Sequence, residues 1–268
     1  MKVVSLGDLV LDVVVRVEAD VARGADTPAR ITLSPGGQGA NVAAWVAALG
    51  ASSRWIGKRA TDAQGRLAAE ALERLGVELS GPVEAAGNGV VVSLVDAAGE
   101  RSMFPDRGIA TTLEPDELRP AWLLCDHLHV SGYALLAEPV VRAAVRAIDI
   151  ARMGGARVSV DLSSWSAIRD AGPDRFRALV ESLEPDVVFA NEDEDEIFGG
   201  PLPRSTWILK RGARGCRFGD EERAALDVPE VVDTTGAGDA LAAGWIVGGP
   251  DLALEAAARC VGRMGSMP

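Results

Sequence analysis

Short apolar runs that alternate with amphipathic stretches constrain this chain more than any other feature. Residues 2–6 (KVVSL), 123–130, 157–160, 186–190 and 207–210 are nearly continuous apolar, β-branched runs. Such runs fit strands buried on both faces of a parallel sheet. Between them, residues 41–49, 64–75, 138–153, 174–183, 240–247 and 252–261 carry helical patterns. Gly50 and Gly76 close the first two of these, glycine being the residue that most readily ends a helix. Strands and helices alternating at this spacing predict a layered α/β sandwich with right-handed crossovers.

Two stretches break the alternation. Residues 13–33 hold VVVRVEAD and ARITL with turn residues between them, and residues 89–104 hold two β runs around Asp96-Ala97-Ala98-Gly99. Both read as antiparallel hairpins. Inserted early into a parallel fold, they predict a small accessory sheet over about residues 12–34 and 88–108. That sheet would cover the carboxyl ends of the main strands, where open α/β folds bind ligands. With no repeat and no long linker, the 268 residues read as one domain.

Composition narrows the partners. The net charge of −12 provides no electrostatic footprint for nucleic acid or an anionic membrane. A phosphate must therefore be held locally, by backbone N–H groups or a few placed cations. Cys125, Cys216 and Cys260 form no C-x-x-C pair, which points to a reducing, cytoplasmic setting without disulfides. The apolar start is interrupted by Asp8 and Asp12 and lacks a signal-peptide pattern. No uncharged run reaches membrane-spanning length.

The chemistry concentrates in residues 231–244, VVDTTGAGDALAAG. A β run ends near Asp233 and Thr234, and Gly236-Ala237-Gly238 turns the backbone into a helix beginning near Asp239. Consecutive N–H groups at a glycine-rich helix start form an anion site. A carboxylate inside such a turn repels phosphate, so Asp239 has two readings. It caps the helix, or it takes a proton from a hydroxyl while the turn stabilises a transferring phosphoryl group. In residues 34–43, SPGGQGANVA, Gly36, Gly37 and Gly39 allow close backbone approach, and Asn41 caps the helix or serves a ligand hydroxyl. Asp8 and Asp12, just past the first strand, either accept bonds from vicinal hydroxyls or form a solvated turn.

Other features carry less. GASSRWIGKR has the wrong spacing for a phosphate loop of the G-x-x-x-x-G-K-[ST] type, and no dinucleotide fingerprint follows the first strand. His127 and His129 share one face of a strand without a third ligand and read as core. Trp165 reads as packing. Arg101 and Arg107 sit in the second hairpin, where Arg107 is placed to reach an anionic substrate group. Asp161, where a strand meets a loop, falls near the site.

Six motifs, in order, carry a resemblance. GGQGANVA and DTTGAGDALAAG are similar to the two signatures of the ribokinase-like (PfkB) carbohydrate kinase family. Asp62-Ala-Gln-Gly65, the segment from Gly99 to Gly108, Asn191-Glu-Asp-Glu194 and Lys210-Arg-Gly-Ala-Arg-Gly215 resemble its remaining pattern. The resemblance implies a three-layer α/β/α sandwich of the ribokinase type with a mostly parallel sheet and a small β lid. It also implies ATP-dependent phosphorylation of a sugar or nucleoside hydroxyl. By position, Asp239 is the base and the N–H groups of Gly236, Ala237 and Gly238 are the anion hole. Asp8, Asp12, Gly36, Gly37, Asn41 and Arg107 fall on the acceptor side. Asn191, Lys210, Gly212, Gly215, Thr234, Ala257 and Cys260 fall on the nucleotide side. Asn191 and Glu194 organise Mg²⁺ through water, and the carbonyls of Asp233 and Thr235 match a monovalent (K⁺) cation site. The chain departs from the family at Ala60-Thr61, where many relatives have a glycine. Homodimers through the lid are implied, with a monomer as the alternative. The acceptor stays open: a neutral sugar or nucleoside, a sugar phosphate, or a sugar acid. A non-catalytic sugar or nucleotide sensor is the reading from another class.

Overall fold

The structure, a computed structural model, describes residues 1–96 and 101–268, with all of their side chains except that of Arg101. In chain order the elements begin with β1 (Lys2–Leu6), β2 (Val10–Val17), β3 (Ala29–Gly36), α1 (Gln38–Ala48), β4 (Ser52–Ile56), β5 (Arg59–Ala60), α2 (Ala63–Arg74) and β6 (Glu78–Ser80). There follow β7 (Val83–Glu84), β8 (Gly89–Val95), β9 (Arg101–Asp106), β10 (His127–Ser131), α3 (Val140–Met153), β11 (Arg157–Asp161), α4 (Trp165–Ala171) and α5 (Pro173–Ser182). The last are β12 (Val187–Asn191), α6 (Glu192–Phe198), β13 (Thr206–Lys210), β14 (Cys216–Phe218), β15 (Glu221–Arg223), α7 (Ala237–Gly248) and α8 (Pro250–Val261).

The central sheet runs β15-β14-β13-β12-β11-β10-β1-β4-β6. From β13 through β6 every pairing is parallel, while β14 and β15 are antiparallel. Side chains alternate between two cores, as period-two strand geometry requires. Val4 and Leu6 of β1, with Val188 and Ala190 of β12, meet residues of α3, α5 and α6. Val3, Val187 and Phe189 face the other way, toward α1, α7 and α8. Two apolar faces under two helical layers explain why these strands read as unbroken apolar runs.

The strand order places the site. From β1 the chain winds outward through β4 to β6, and from β10 it winds the other way through β13. The crevice therefore lies beyond the carboxyl ends of β1 and β10, the switch point at which such sheets bind ligands. Gly7-Asp8 and Ser131 are at its mouth. The accessory sheet has the order β3-β2-β8-β9 and is built from two antiparallel hairpins joined by a parallel β2–β8 pairing. The expected Asp96-Ala97-Ala98-Gly99 turn lies largely outside the described residues.

Three details differ from the sequence reading. The strand expected over 123–130 begins only at His127, because Pro120 sets a 3₁₀ turn over Pro120–Leu123. The strands β14 and β15, with charged residues such as Glu221, Glu222 and Arg223, had no apolar run to announce them. A two-stranded β5–β7 sheet was equally unsignalled. His127 and His129 are core residues as read. Both rings bond the Ser159 hydroxyl, at 2.8 and 2.9 Å.

Candidate active site

The start of α7 bears on the capping reading of Asp239. Gly236, at φ 79°, is the N-cap, and no side chain caps this helix. Asp239 is its third residue, so it is not the cap. Its carboxylate accepts instead from Asn41 Nδ2 at 2.7 Å, and the Gln38 side chain also favours its charged form. At this helix start the Ala237 N–H donates to the Thr234 carbonyl at 3.3 Å, and the Asp239 carboxylate is turned to Asn41. Gly236 is required twice over. Its φ is left-handed, and an added Cβ would lie 2.6 Å from Ser266 Cα.

Gly37, at φ 96°, caps α1 beside the first strand's end, and a side chain there would collide with the Asp8 carbonyl. The turn brings α1 to the mouth of the crevice and Asn41, only 6% exposed, onto Asp239. Asn41 Oδ1 accepts from Ser266 Oγ at 3.0 Å, so the amide is held at both ends.

Charge is arranged in layers. Lys210 Nζ donates to Asp161 Oδ2 at 2.7 Å, and Asp161 is fully buried. The Lys210 side chain also approaches Gly238, with Nζ 3.3 Å from where a Cβ would stand. Burial opposes its charge, but Asp161, Glu194 and Asp239 more than offset this and raise its pKa. Burial, reinforced by Asp161, pushes the Asp239 carboxyl up to about 7 against the pull of Asn41, Lys210 and Gln38. Burial likewise raises Asp12 to about 6. Glu194 rises to about 6 for the same main reason.

Asn191 and Glu194 form a reciprocal cap at the start of α6. Asn191 N–H and Nδ2 donate to the Glu194 carboxylate at 2.8 and 2.9 Å, and Glu194 N–H donates back to Asn191 Oδ1 at 2.8 Å. Asp8 and Arg107, separate acceptor-side residues in the sequence reading, are locked together. Arg107 Nε and Nη2 donate to the two Asp8 oxygens at 2.6 and 2.8 Å, and Nη2 also reaches the Tyr133 carbonyl at 3.1 Å. Asp12 lies against Gly36, where any side chain would meet its carboxylate.

On the nucleotide side, Gly212 and Gly215 bound a tight turn after β13, and Thr234 is exposed ahead of α7. Cys260 requires a correction. It is fully buried, and its thiol donates to the Thr235 carbonyl at 3.3 Å. It therefore underlies the α7 loop and does not present a surface to adenine; Ala257 packs against the same core. The Asp233 carboxylate accepts from Thr235 N–H at 2.7 Å and Gly265 N–H at 3.1 Å, tying that loop to residues after α8. Trp165 is 44% exposed, with Arg169 over its ring. A separate cavity of 580 Å³ between α3 and α5 is lined by Val141, Val145, Phe176 and Leu179 and includes none of these residues.

Sequence reasoning missed Gln38, Ser131, Ser163 and Ser266. Gln38 lay inside a quoted motif, but the serines are brought in from distant strands and turns and carry no local signal.

This arrangement, a carboxylate beside a glycine-rich helix start at the switch point of a parallel sheet, is that of a phosphotransferase acting on an alcohol group. The chain belongs to the pfkB family of carbohydrate kinases, whose pattern matches residues 1–267, and is an ATP-dependent kinase. It is 34% identical to an ATP-dependent ribose-1-phosphate kinase from Halopiger xanaduensis, across 97% of this chain and 90% of that protein. It is also 34% identical to fructokinase-1 of Oryza sativa subsp. japonica, across 89% and 80% of the two chains. An adenosine kinase from Sinorhizobium meliloti shares the fold, with a TM-score of 0.87, 24% identity and coverage of 100% and 95%. A putative ribokinase II from E. coli, solved with ATP and Mg²⁺, superposes with a TM-score of 0.83 at 21% identity, covering 99% and 94%.

Proposed function

We propose that the protein transfers the γ-phosphoryl group of ATP to a hydroxyl of a neutral sugar or nucleoside, with Asp239 as general base. The observation that carries this is the placement of Asp239. It stands in the first turn of α7, does not cap it, and is held by Asn41 beside a helix start that carries no side-chain cap. In this reading the acceptor hydroxyl approaches Asp239 from the side of Asp12, Gly36, Gly37 and Asn41. As the hydroxyl oxygen attacks phosphorus, its proton passes to the Asp239 carboxylate. The N–H groups of Gly236, Ala237 and Gly238 and the Lys210 ammonium face the charge on the transferring group. Asp161 holds Lys210 in that position.

Mg²⁺ would supply charge neutralisation on the ATP phosphates, with Asn191 and Glu194 as its protein side. Among the described residues no cluster of three or more His, Cys, Asp or Glu side chains could hold a metal by itself. That fits an ion that keeps several waters and binds mostly through phosphate oxygens. K⁺ on the carbonyls of Asp233 and Thr235 belongs to the same reading.

A second acceptor class has a specific observation in its favour. Arg16 pairs with Arg30 across β2 and β3, on the face that also carries Asp12. Two cations there suit an acceptor that already bears a phosphate, as the name of the Halopiger relative states for that protein. ATP consumption over a panel of free sugars, nucleosides and their phosphates separates the two classes.

The reading extends to assembly and compartment. Leu33, Val13, Val92 and Phe104 form one row across the accessory sheet, and Leu33 and Phe104 are 56% and 58% exposed. An apolar row of this kind supports a homodimer through the lid, which sedimentation of the wild type and Leu33→Asp tests. The free thiols of Cys125, Cys216 and Cys260 support a reducing cytoplasm. No helix among the described residues is long and apolar enough to cross a membrane.

A further inference from the structure

Asp239 is approached by two amides, and each amide is itself oriented from behind by hydroxyl groups. On one side Ser266 Oγ donates to Asn41 Oδ1 at 3.0 Å, and Asn41 Nδ2 donates to Asp239 Oδ2 at 2.7 Å. On the other, Ser131 Oγ and Ser163 Oγ each donate to Gln38 Oε1 at 2.5 Å, which leaves the Gln38 N–H end free to face Asp239, whose charged form this side chain favours. A primary amide has a donor end and an acceptor end. Reversed, either amide would aim a carbonyl at the carboxylate. Hydroxyl donors placed on the carbonyl ends favour the orientation in which both N–H groups face Asp239.

The hydroxyls are themselves fixed. Ser266 is 1% exposed, and its carbonyl accepts from Trp45 Nε1 at 2.9 Å. Its backbone fills the space left by the missing side chain of Gly236. Ser163 holds a left-handed backbone at φ 74°, uncommon for a residue with a side chain, and its N–H donates to Asp161 Oδ1 at 3.0 Å. Strain of this kind persists only where the surroundings enforce it. The two chains therefore converge on one carboxylate from α1, β10, the loop after β11 and the segment after α8.

We infer that Gln38 and Ser266 are positioning residues for phosphoryl transfer, holding the Asp239 carboxylate aligned toward the acceptor hydroxyl through the Gln38 and Asn41 amides. The inference rests on Asp239 being the base. Neither residue needs to touch substrate for it. The charged groups that also face Asp239 are Asp161 at the end of β11 and Lys210 at the end of β13. Glu194 on α6 faces Lys210, and the Cys260 thiol on α8 lies toward Asp239 and Asp233. Neither substitution removes any of these groups.

The test uses Gln38→Met, Ser266→Ala and Asp239→Asn in the full chain. Initial rates are measured against pH, with the acceptor found for the wild type. Losing a donor chain should lower kcat several-fold at pH 7 with little change in the KM for ATP. It should also move the acid limb of kcat/KM upward, so that much of the loss is recovered at high pH. Circular dichroism at each pH, showing both variants folded across the limb, separates this shift from acid unfolding. If both variants keep the wild-type kcat and acid limb while Asp239→Asn is inactive, the positioning inference is overturned and the base assignment stands. Full activity in Asp239→Asn overturns both.

Discussion

The Asn41 side-chain amide donates to Asp239 at 2.7 Å across 198 positions of sequence. The contact joins the two signature segments, one at the start of α1 and the other in the first turn of α7. It stabilises the charged carboxylate, which burial and Asp161 work to protonate. The balance leaves Asp239 titrating at about 7.

A base so placed predicts a pH profile. The reaction needs Asp239 deprotonated, so kcat/KM falls as pH drops through about 7. The acid limb then lies far above the ordinary aspartate range. Initial rates from pH 5 to 9 check this, and a limb near 4 contradicts it.

Arg107→Ala tests the latch between the accessory sheet and the first strand. The Arg107 guanidinium takes both oxygens of Asp8, whose side chain is only 7% exposed. Without it, Asp8 loses its counter-charge and β9 loses its tie to the crevice. The acceptor KM is expected to rise by about tenfold, equivalent to ~1.4 kcal/mol, with a smaller change for ATP. Steady-state kinetics with each substrate varied separately measures the difference.

The sheet was legible in the sequence because two helical layers require continuous apolar strands, and β1, β11, β12 and β13 supply them. The hairpins were legible from β-branched runs such as VVVRV and GVVVSLV. The glycine turns were legible because Gly37 and Gly236 hold backbone that a side chain would block. The pairing of Asp8 with Arg107 was not, since it depends on how the second hairpin folds back on the first strand. Ser266 was equally hidden: a lone serine acquires a role only once the segment after α8 packs against Gly236. Cys260 was misassigned because position along a helix does not reveal which face is buried.

His127 and His129 give a stability prediction. Burial lowers them to about 3 and about 4 from 6.5, so the folded state holds them neutral. Their contribution is present above pH 6.5 and is lost as pH falls through about 4 and then 3. The stability gap between wild type and His129→Leu should therefore shift against wild type by up to about 3 kcal/mol between pH 7 and pH 4. Urea unfolding at both pH values measures the gap, and a constant gap would refute the burial argument.

Glu194→Gln separates the cap from the metal. Glutamine keeps an acceptor for one of the two Asn191 donors, and Asn191 Oδ1 still accepts from the N–H of residue 194, so α6 should hold. The Mg²⁺ concentration needed for half-maximal rate should rise. An unchanged Mg²⁺ titration would leave Glu194 with the cap alone.

The central claim is tested most directly by phosphoryl transfer from ATP, measured for wild type and Asp239→Asn over a panel of free and phosphorylated sugars and nucleosides. The wild type is expected to phosphorylate at least one acceptor. Asp239→Asn should do so about 10²- to 10⁴-fold more slowly, with ATP binding unchanged. Full turnover in Asp239→Asn would contradict the account.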